Sequence, residues 1–104
     1  MNEQPPPLPS TGDIWAEIIA ELPENHILRP LAIQRRALGI ERYGVPLQRG
    51  NGRDMARDAL EEALDLIAYL RGMRETPDGP PVAMESTALL VARDLAEIQA
   101  RTTK

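Results

Sequence analysis

The segment RDMARDALEEALDLIAYLR, residues 53–71, decides the fold of this chain. Its apolar residues recur at the three- and four-residue steps of an α-helix, and it contains neither proline nor glycine. We therefore predict a helix here, with Asn51 or Asp54 capping its start and Gly72 ending it.

Apolar spacing predicts three further helices, separated by proline and glycine. Pro23 interrupts the chain after the first helix, Pro30 suits the first turn of the second, and Gly44 is a typical stop. The four predicted helices cover residues 12–22, 30–43, 53–71 and 82–101. No segment has the alternating pattern of a strand, so we predict an all-α, four-helix bundle-like single domain over residues 11–104.

The first ten residues, MNEQPPPLPS, contain four prolines and almost nothing to bury. We predict a flexible, proline-rich arm over residues 1–10. The alternative is an arm that docks on a neighbouring subunit.

Composition excludes several classes of function. The chain has 16 acidic and 12 basic residues, a net charge of −4, whereas proteins that bind nucleic-acid polymers draw their affinity from a basic surplus. It has no cysteine and one histidine, which excludes disulfides, thiolate chemistry and a multi-histidine metal site. Without a membrane-length apolar run or a signal-peptide pattern, we expect a cytoplasmic protein with no membrane partner.

The size of the chain favours assembly. A domain of 104 residues buries only about two-thirds of its unfolded surface, and this one has no phenylalanine and one tryptophan with which to build a core. Four helices with few large side chains leave apolar faces uncovered. We therefore predict a homo-oligomer, either a dimer or a tetramer.

Four acids in the third predicted helix form what we call the acidic stripe: Asp58, Glu61, Glu62 and Asp65. Their spacing places them on one side of a helix, where acids four residues apart repel each other by a few tenths of a kcal/mol. No base occurs between Asp58 and Leu70. Clustered carboxylates suit a hard cation such as Mg²⁺, with Mn²⁺ as a substitute, that also holds substrate phosphates. The alternative is a solvated acidic face.

The stretch EEALDLIAYL, residues 61–70, resembles the second metal motif of the MazG-like, all-α nucleoside triphosphate pyrophosphatases. The longer stretch over residues 42–70 is similar to small phage-encoded proteins near that superfamily. The resemblance implies cleavage of a nucleotide between its α and β phosphates with Mg²⁺, in the cytoplasm of an infected bacterial host. It implies that Glu62 and Asp65 are metal ligands. Asp58 and Glu61 match no motif position, and we expect them to assist at the metal and in catalysis, respectively.

The first metal motif of that family, a Glu-x-x-Glu pair on an earlier helix, has no clear counterpart. The upstream match in spacing is Glu21-Leu-Pro-Glu24, in which Pro23 breaks the helix. Glu41 is our favoured additional carboxylate for catalysis, ahead of Glu17 and Glu21. The alternatives to hydrolysis are a helical oligomer that binds a nucleotide or nucleotide-derived signal without cleaving it, and a structural or regulatory adaptor.

The loop before the acidic helix supplies candidate nucleotide contacts. Arg49, Asn51 and Arg53 stand beside a helix start, where backbone amides and two guanidiniums favour phosphate. Tyr43 is a candidate for stacking on the base. The alternatives are a solvated turn for the loop and ordinary packing for the tyrosine.

Overall fold

The computed structural model describes residues 12–74, 76, 79 and 82–102, and it is all-α. The four helices are α1 (Ile14–Glu21), α2 (Leu28–Tyr43), α3 (Met55–Met73) and α4 (Val82–Thr102). Each boundary lies within two residues of its predicted position, which confirms the fold class. The β-structure within these described ranges is one isolated bridge between Asp13 and Gln48. The arm predicted for residues 1–10 lies outside them.

The chain divides into two compact units, each built on one helix pair. The first, Met1–Arg53, contains α1 and α2, which pack against each other. The second, Asp54–Lys104, contains α3 and α4, which also pack together, and we call this pair the α3–α4 hairpin.

Asp13 joins α1 to α2 in the first unit. Its Oδ1 accepts a hydrogen bond from the Ala16 amide at 3.0 Å and caps α1. Its Oδ2 accepts from Nε and Nη2 of Arg36 on α2, at 2.9 and 2.7 Å. The Arg36 guanidinium holds the pKa of Asp13 below its usual value.

Backbone hydrogen bonds tie the loop after α2 to the start of α1. Gly44 ends α2 as predicted, in the left-handed conformation at φ 81°. The Ile14 amide then donates to the Leu47 carbonyl at 2.9 Å, and the Arg49 amide donates to the Gly12 carbonyl at 3.3 Å. The loop is therefore held in place by main-chain contacts.

Small residues line the contact between α3 and α4. Ala63 and Leu70 on α3, and Ala88 and Ala92 on α4, are buried. Three of these four are alanines, whose short side chains permit close approach of the two helices, while most of the longer apolar residues lie on either side of the contact.

Polar contacts fix the two ends of the α3–α4 hairpin. At one end, Oδ2 of Asp54 accepts from Nε2 of Gln99 at 2.9 Å, and this bond lowers the pKa of Asp54. At the other, the buried carboxylate of Glu85 accepts from Nη2 of Arg71 at 3.0 Å and from Nη2 of Arg74 at 2.8 Å. These pairs set the register of two antiparallel helices.

The prediction that Gly72 ends the third helix is wrong. The helix continues through Gly72 to Met73, and Arg74 is its C-cap. A glycine inside a helix costs about 1 kcal/mol relative to alanine. Here the extension makes Arg74 the C-cap, where its guanidinium joins that of Arg71 in binding Glu85, and this contact offsets that cost. At the other end, Asp54 rather than Asn51 is the cap, since its Oδ1 accepts from the Arg57 amide at 3.1 Å.

The buried apolar core of the described residues is small. It consists of Ala32, Ala63, Leu70, Ala88 and Ala92. Large apolar side chains are exposed on all four helices. Within the described ranges, no helix combines the length and hydrophobicity required to cross a bilayer.

Glu85→Gln is expected to lower the thermal unfolding midpoint at pH 7 by roughly 5–10 °C, because Arg71 and Arg74 lose their buried counter-charge. Hydrogen bonding from Arg71 holds the pKa of Glu85 below its ordinary 4.5, although burial acts in the opposite direction. The stabilisation is therefore complete above that ordinary value and is lost as the pH falls through the lower, folded-state pKa.

The difference between the wild type and Glu85→Gln should thus shrink on acidification below pH 4.5, as measured by circular dichroism melts. Glu97→Gln, an exposed substitution on the same helix, is the control and should melt like the wild type. A destabilisation by Glu85→Gln that stays constant from neutral to acid pH would argue against a charged network.

Candidate functional site

The acidic stripe lies on the side of α3 that faces away from α4. Ala63 and Leu70 are buried against α4. Asp58, Glu61 and Asp65 lie roughly half a turn around the helix from them, and Glu62 lies about a quarter turn away. Glu61, Glu62 and Asp65 are exposed, and Asp58 is half-buried. The carboxylates of the three exposed acids are therefore accessible to a ligand from solvent.

Glu61 in the acidic stripe pairs with Arg57, the base that immediately precedes the stripe. Nε of Arg57 donates to Oε1 of Glu61 at 3.2 Å, an i, i+4 pair on the helix surface. Glu62 and Asp65 form no hydrogen bond or ion pair through their side chains with any residue in the described ranges. The uncompensated negative charge is therefore centred on Glu62 and Asp65.

The donor chemistry of Glu62 and Asp65 fits Mg²⁺. They lie three residues apart on one helix, and both carboxylates are exposed. Mg²⁺ is usually bound by one or two carboxylates together with water and substrate phosphates, rather than by a complete protein cage. No group of three or more His, Asp or Glu side chains among the described residues is placed to hold a metal. The pair would thus need oxygen ligands from water and a phosphate-bearing substrate.

The predicted phosphate loop is engaged by its own unit. Nη1 of Arg49 donates to Oε2 of Glu17 on α1 at 2.5 Å, and both side chains are about half exposed. An anion that binds Arg49 must therefore share its guanidinium with Glu17 or displace the Glu17 carboxylate from it.

Asn51 is almost completely buried, with 1% of its surface exposed. Its Oδ1 accepts from the Arg53 amide at 3.0 Å, which closes a turn from Asn51 to Arg53. The glycines on either side of Asn51, Gly50 and Gly52, are both at positive φ. Its Nδ2 is buried and has no partner within the described chain. The observed contact gives Asn51 a structural role in shaping the loop.

Two further predicted residues lie in the last turn of α2. Tyr43 is 48% exposed, and the guanidinium of Arg42 lies 5.4 Å from the centroid of its ring. Glu41 is exposed, and its carboxylate forms no ion pair with a described residue.

The acids upstream do not form a helical Glu-x-x-Glu pair. Helix α1 ends at Glu21, and Glu24 lies in the turn that follows Pro23. Glu17 is occupied by Arg49. Among the three alternatives for an additional carboxylate, Glu21 and Glu41 are thus the ones whose side chains are unpaired in the described chain.

The candidate residues fall in both units. Glu41, Tyr43, Arg49, Asn51 and Arg53 belong to the first, and the acidic stripe belongs to the second. The sequence analysis missed the Arg57–Glu61 pair, which its four-residue spacing could have revealed, and the Arg49–Glu17 pair, for which the sequence contains no local signal. Comparison of the chain with known protein families, curated proteins and solved structures gives no significant match.

Proposed function

We propose that this protein is a Mg²⁺-dependent pyrophosphohydrolase of nucleoside or deoxynucleoside triphosphates, acting in the cytoplasm of a phage-infected bacterium. The observation that supports it is the exposed pair Glu62 and Asp65, whose carboxylates lack a basic partner in the described chain. Two like charges three residues apart repel each other, and a divalent cation shared with a triphosphate relieves that repulsion.

In this proposal Glu62 and Asp65 would hold Mg²⁺, with Asp58 assisting them. The metal would polarise a phosphoryl group or a water molecule. A water attacks the α phosphorus, the bond to the oxygen that bridges the β phosphorus breaks, and the products are a nucleoside monophosphate and pyrophosphate. The proton of the attacking water would go to an additional carboxylate, for which Glu41 is the candidate, with Glu61 as the assisting acid. Arg49 and Arg53 would contact phosphate, the buried Asn51 would shape the loop that carries them, and Tyr43 would stack on the base.

The second candidate is capture of a nucleotide without hydrolysis. It is favoured by the end of α1 at Glu21, which leaves Glu21 and Glu24 on different segments and removes the pair expected of a first metal motif. Fewer carboxylates are needed to bind a magnesium nucleotide than to activate a water as well.

The test is release of pyrophosphate by the purified full chain from a panel of ribo- and deoxyribonucleoside triphosphates with Mg²⁺. We expect release from at least one member of the panel, and its loss when the metal is chelated. Tight binding by calorimetry with no pyrophosphate after hours would establish capture. If no nucleotide of the panel is bound and none releases pyrophosphate, both candidate functions are rejected.

A further inference from the structure

The α3–α4 hairpin has an open apolar groove of about 500 Å³ along one side. Seven of its eight lining residues are apolar, and the exception is Thr87. Residues from both helices form it, among them Leu66 and Leu70 from α3, and Met84 and Val91 from α4. A groove of this composition presents apolar surface to solvent along the helix contact.

Both helices repeat apolar residues in alternating four- and three-residue steps, the 3.5-residue period of a coiled coil. On α3 the repeat is Ala59, Ala63, Leu66, Leu70 and Met73. On α4 it is Met84, Ala88, Val91, Leu95 and Ile98. This period keeps one apolar seam in line along the whole length of each helix.

Alternate members of each repeat have different surroundings. The inner seam residues are buried or half-buried along the α3–α4 contact: Ala63, Leu70, Ala88 and Leu95. The outer seam residues are exposed: Ala59, Leu66, Met73, Met84, Val91 and Ile98. The five large ones retain between 40% and 49% exposure. In a four-helix bundle both sets face the centre, so the hairpin has the composition of half such a core.

We propose that a second copy of this chain covers the outer seam, so that two α3–α4 hairpins form one four-helix core in a homodimer. The outer seam offers roughly 400 Å² of apolar surface per copy, a size at which patches mark interaction sites. That is about half of what each partner buries in a standard interface, in which the remaining area is polar rim. The interface does not depend on the proposed hydrolysis, and either can fail alone.

The outer seam is self-complementary in volume. The contacts Asp54–Gln99 and Arg71–Glu85 set its register. From one end to the other its layers are Met73 with Met84, Leu66 with Val91, and Ala59 with Ile98. A two-fold axis through the middle layer places the wide methionine layer of each copy against the narrow alanine layer of the other. Such matching is what a symmetric interface between identical copies requires.

The small core also indicates that the partner covering the outer seam is a second copy of this chain. The buried apolar residues of the described chain are four alanines and one leucine, too little to stabilise a domain of this size. The covering partner must therefore be present whenever the chain folds. Every molecule carries both seams, so another copy always meets that condition.

Sedimentation of the full chain at tens of micromolar is expected to give twice the 11.5 kDa mass of one copy. Leu66→Glu, which buries a charge in the middle layer, should raise the dimer dissociation constant at least about 100-fold. Leu64→Glu is the matched control, on the same helix and 53% rather than 48% exposed, but outside the seam. A monomeric wild type, or an assembly that Leu66→Glu leaves intact, would overturn the proposal.

Cross-linking tests the same interface without placing a charge in it. The chain has no cysteine, so Leu66→Cys and Leu64→Cys each introduce a single thiol. A short bis-maleimide should join two copies of the Leu66→Cys protein, because position 66 lies at the proposed axis, and should leave Leu64→Cys largely monomeric on a denaturing gel. Equal cross-linking of both variants, or of neither, would contradict the proposed surface.

Discussion

The double variant Glu62→Gln, Asp65→Asn is expected to lose Mg²⁺-dependent pyrophosphate release, with kcat lowered at least roughly a thousandfold. Both carboxylates are exposed, and their charge is not balanced by a base in the described chain, so their removal breaks no internal ion pair. Relief of repulsion should leave the metal-free protein at least as stable as the wild type. Turnover with saturating nucleotide and Mg²⁺ is the measurement.

The control is Asp94→Asn, Glu97→Gln, which removes two acids at the same spacing from the exposed surface of α4. It should retain wild-type turnover. Thermal melts give an independent reading, because Mg²⁺ should raise the unfolding midpoint of the wild type and of the control beyond the effect of matched ionic strength. An unchanged Mg²⁺ response in the Glu62→Gln, Asp65→Asn protein would remove these residues from the metal site.

The helices could be predicted because their determinants are local. Apolar spacing defines each helix, and Pro23 and Gly44 interrupt the chain within a residue or two of the observed ends. Gly72 misled because a contact 11 residues along the chain, between Arg74 and Glu85, favours the two extra helical residues. Local propensity contains no information about such a partner.

The contacts of the candidate site residues also divide into those between residues close in sequence, which could be predicted, and those between distant residues, which could not. The Arg57–Glu61 pair follows from a four-residue spacing and was available from the sequence. The Arg49–Glu17 pair joins residues 32 positions apart and depends on main-chain bonds between the Gly12 and Leu47 segments. The burial of Asn51 belongs to the same loop and was equally hidden. Sequence patterns located the acids and contained the local Arg57–Glu61 pair, whereas the Arg49–Glu17 pair and the burial of Asn51 required the fold.

Glu41→Gln is expected to lower kcat by about 10²–10⁴-fold with little change in KM, if the protein hydrolyses its nucleotide with Glu41 as proton acceptor. The amide keeps the size of the side chain but cannot take a proton from water. Glu41 is exposed and forms no ion pair with a described residue, so the fold should be unaffected. Glu24→Gln, an exposed substitution in the turn after α1, should keep wild-type turnover.

A protein that captures nucleotides without cutting them gives the opposite pattern. Glu41→Gln then leaves affinity unchanged by calorimetry, whereas Arg49→Ala weakens binding because a phosphate contact is lost. Arg49 also holds Glu17, so Glu17→Gln is the necessary control. Loss of affinity in both variants traces to loop geometry, and loss in Arg49→Ala alone traces to the guanidinium. If Glu41→Gln lowers kcat no more than Glu24→Gln does while turnover persists, another group takes the proton, and the proposed role of Glu41 is wrong.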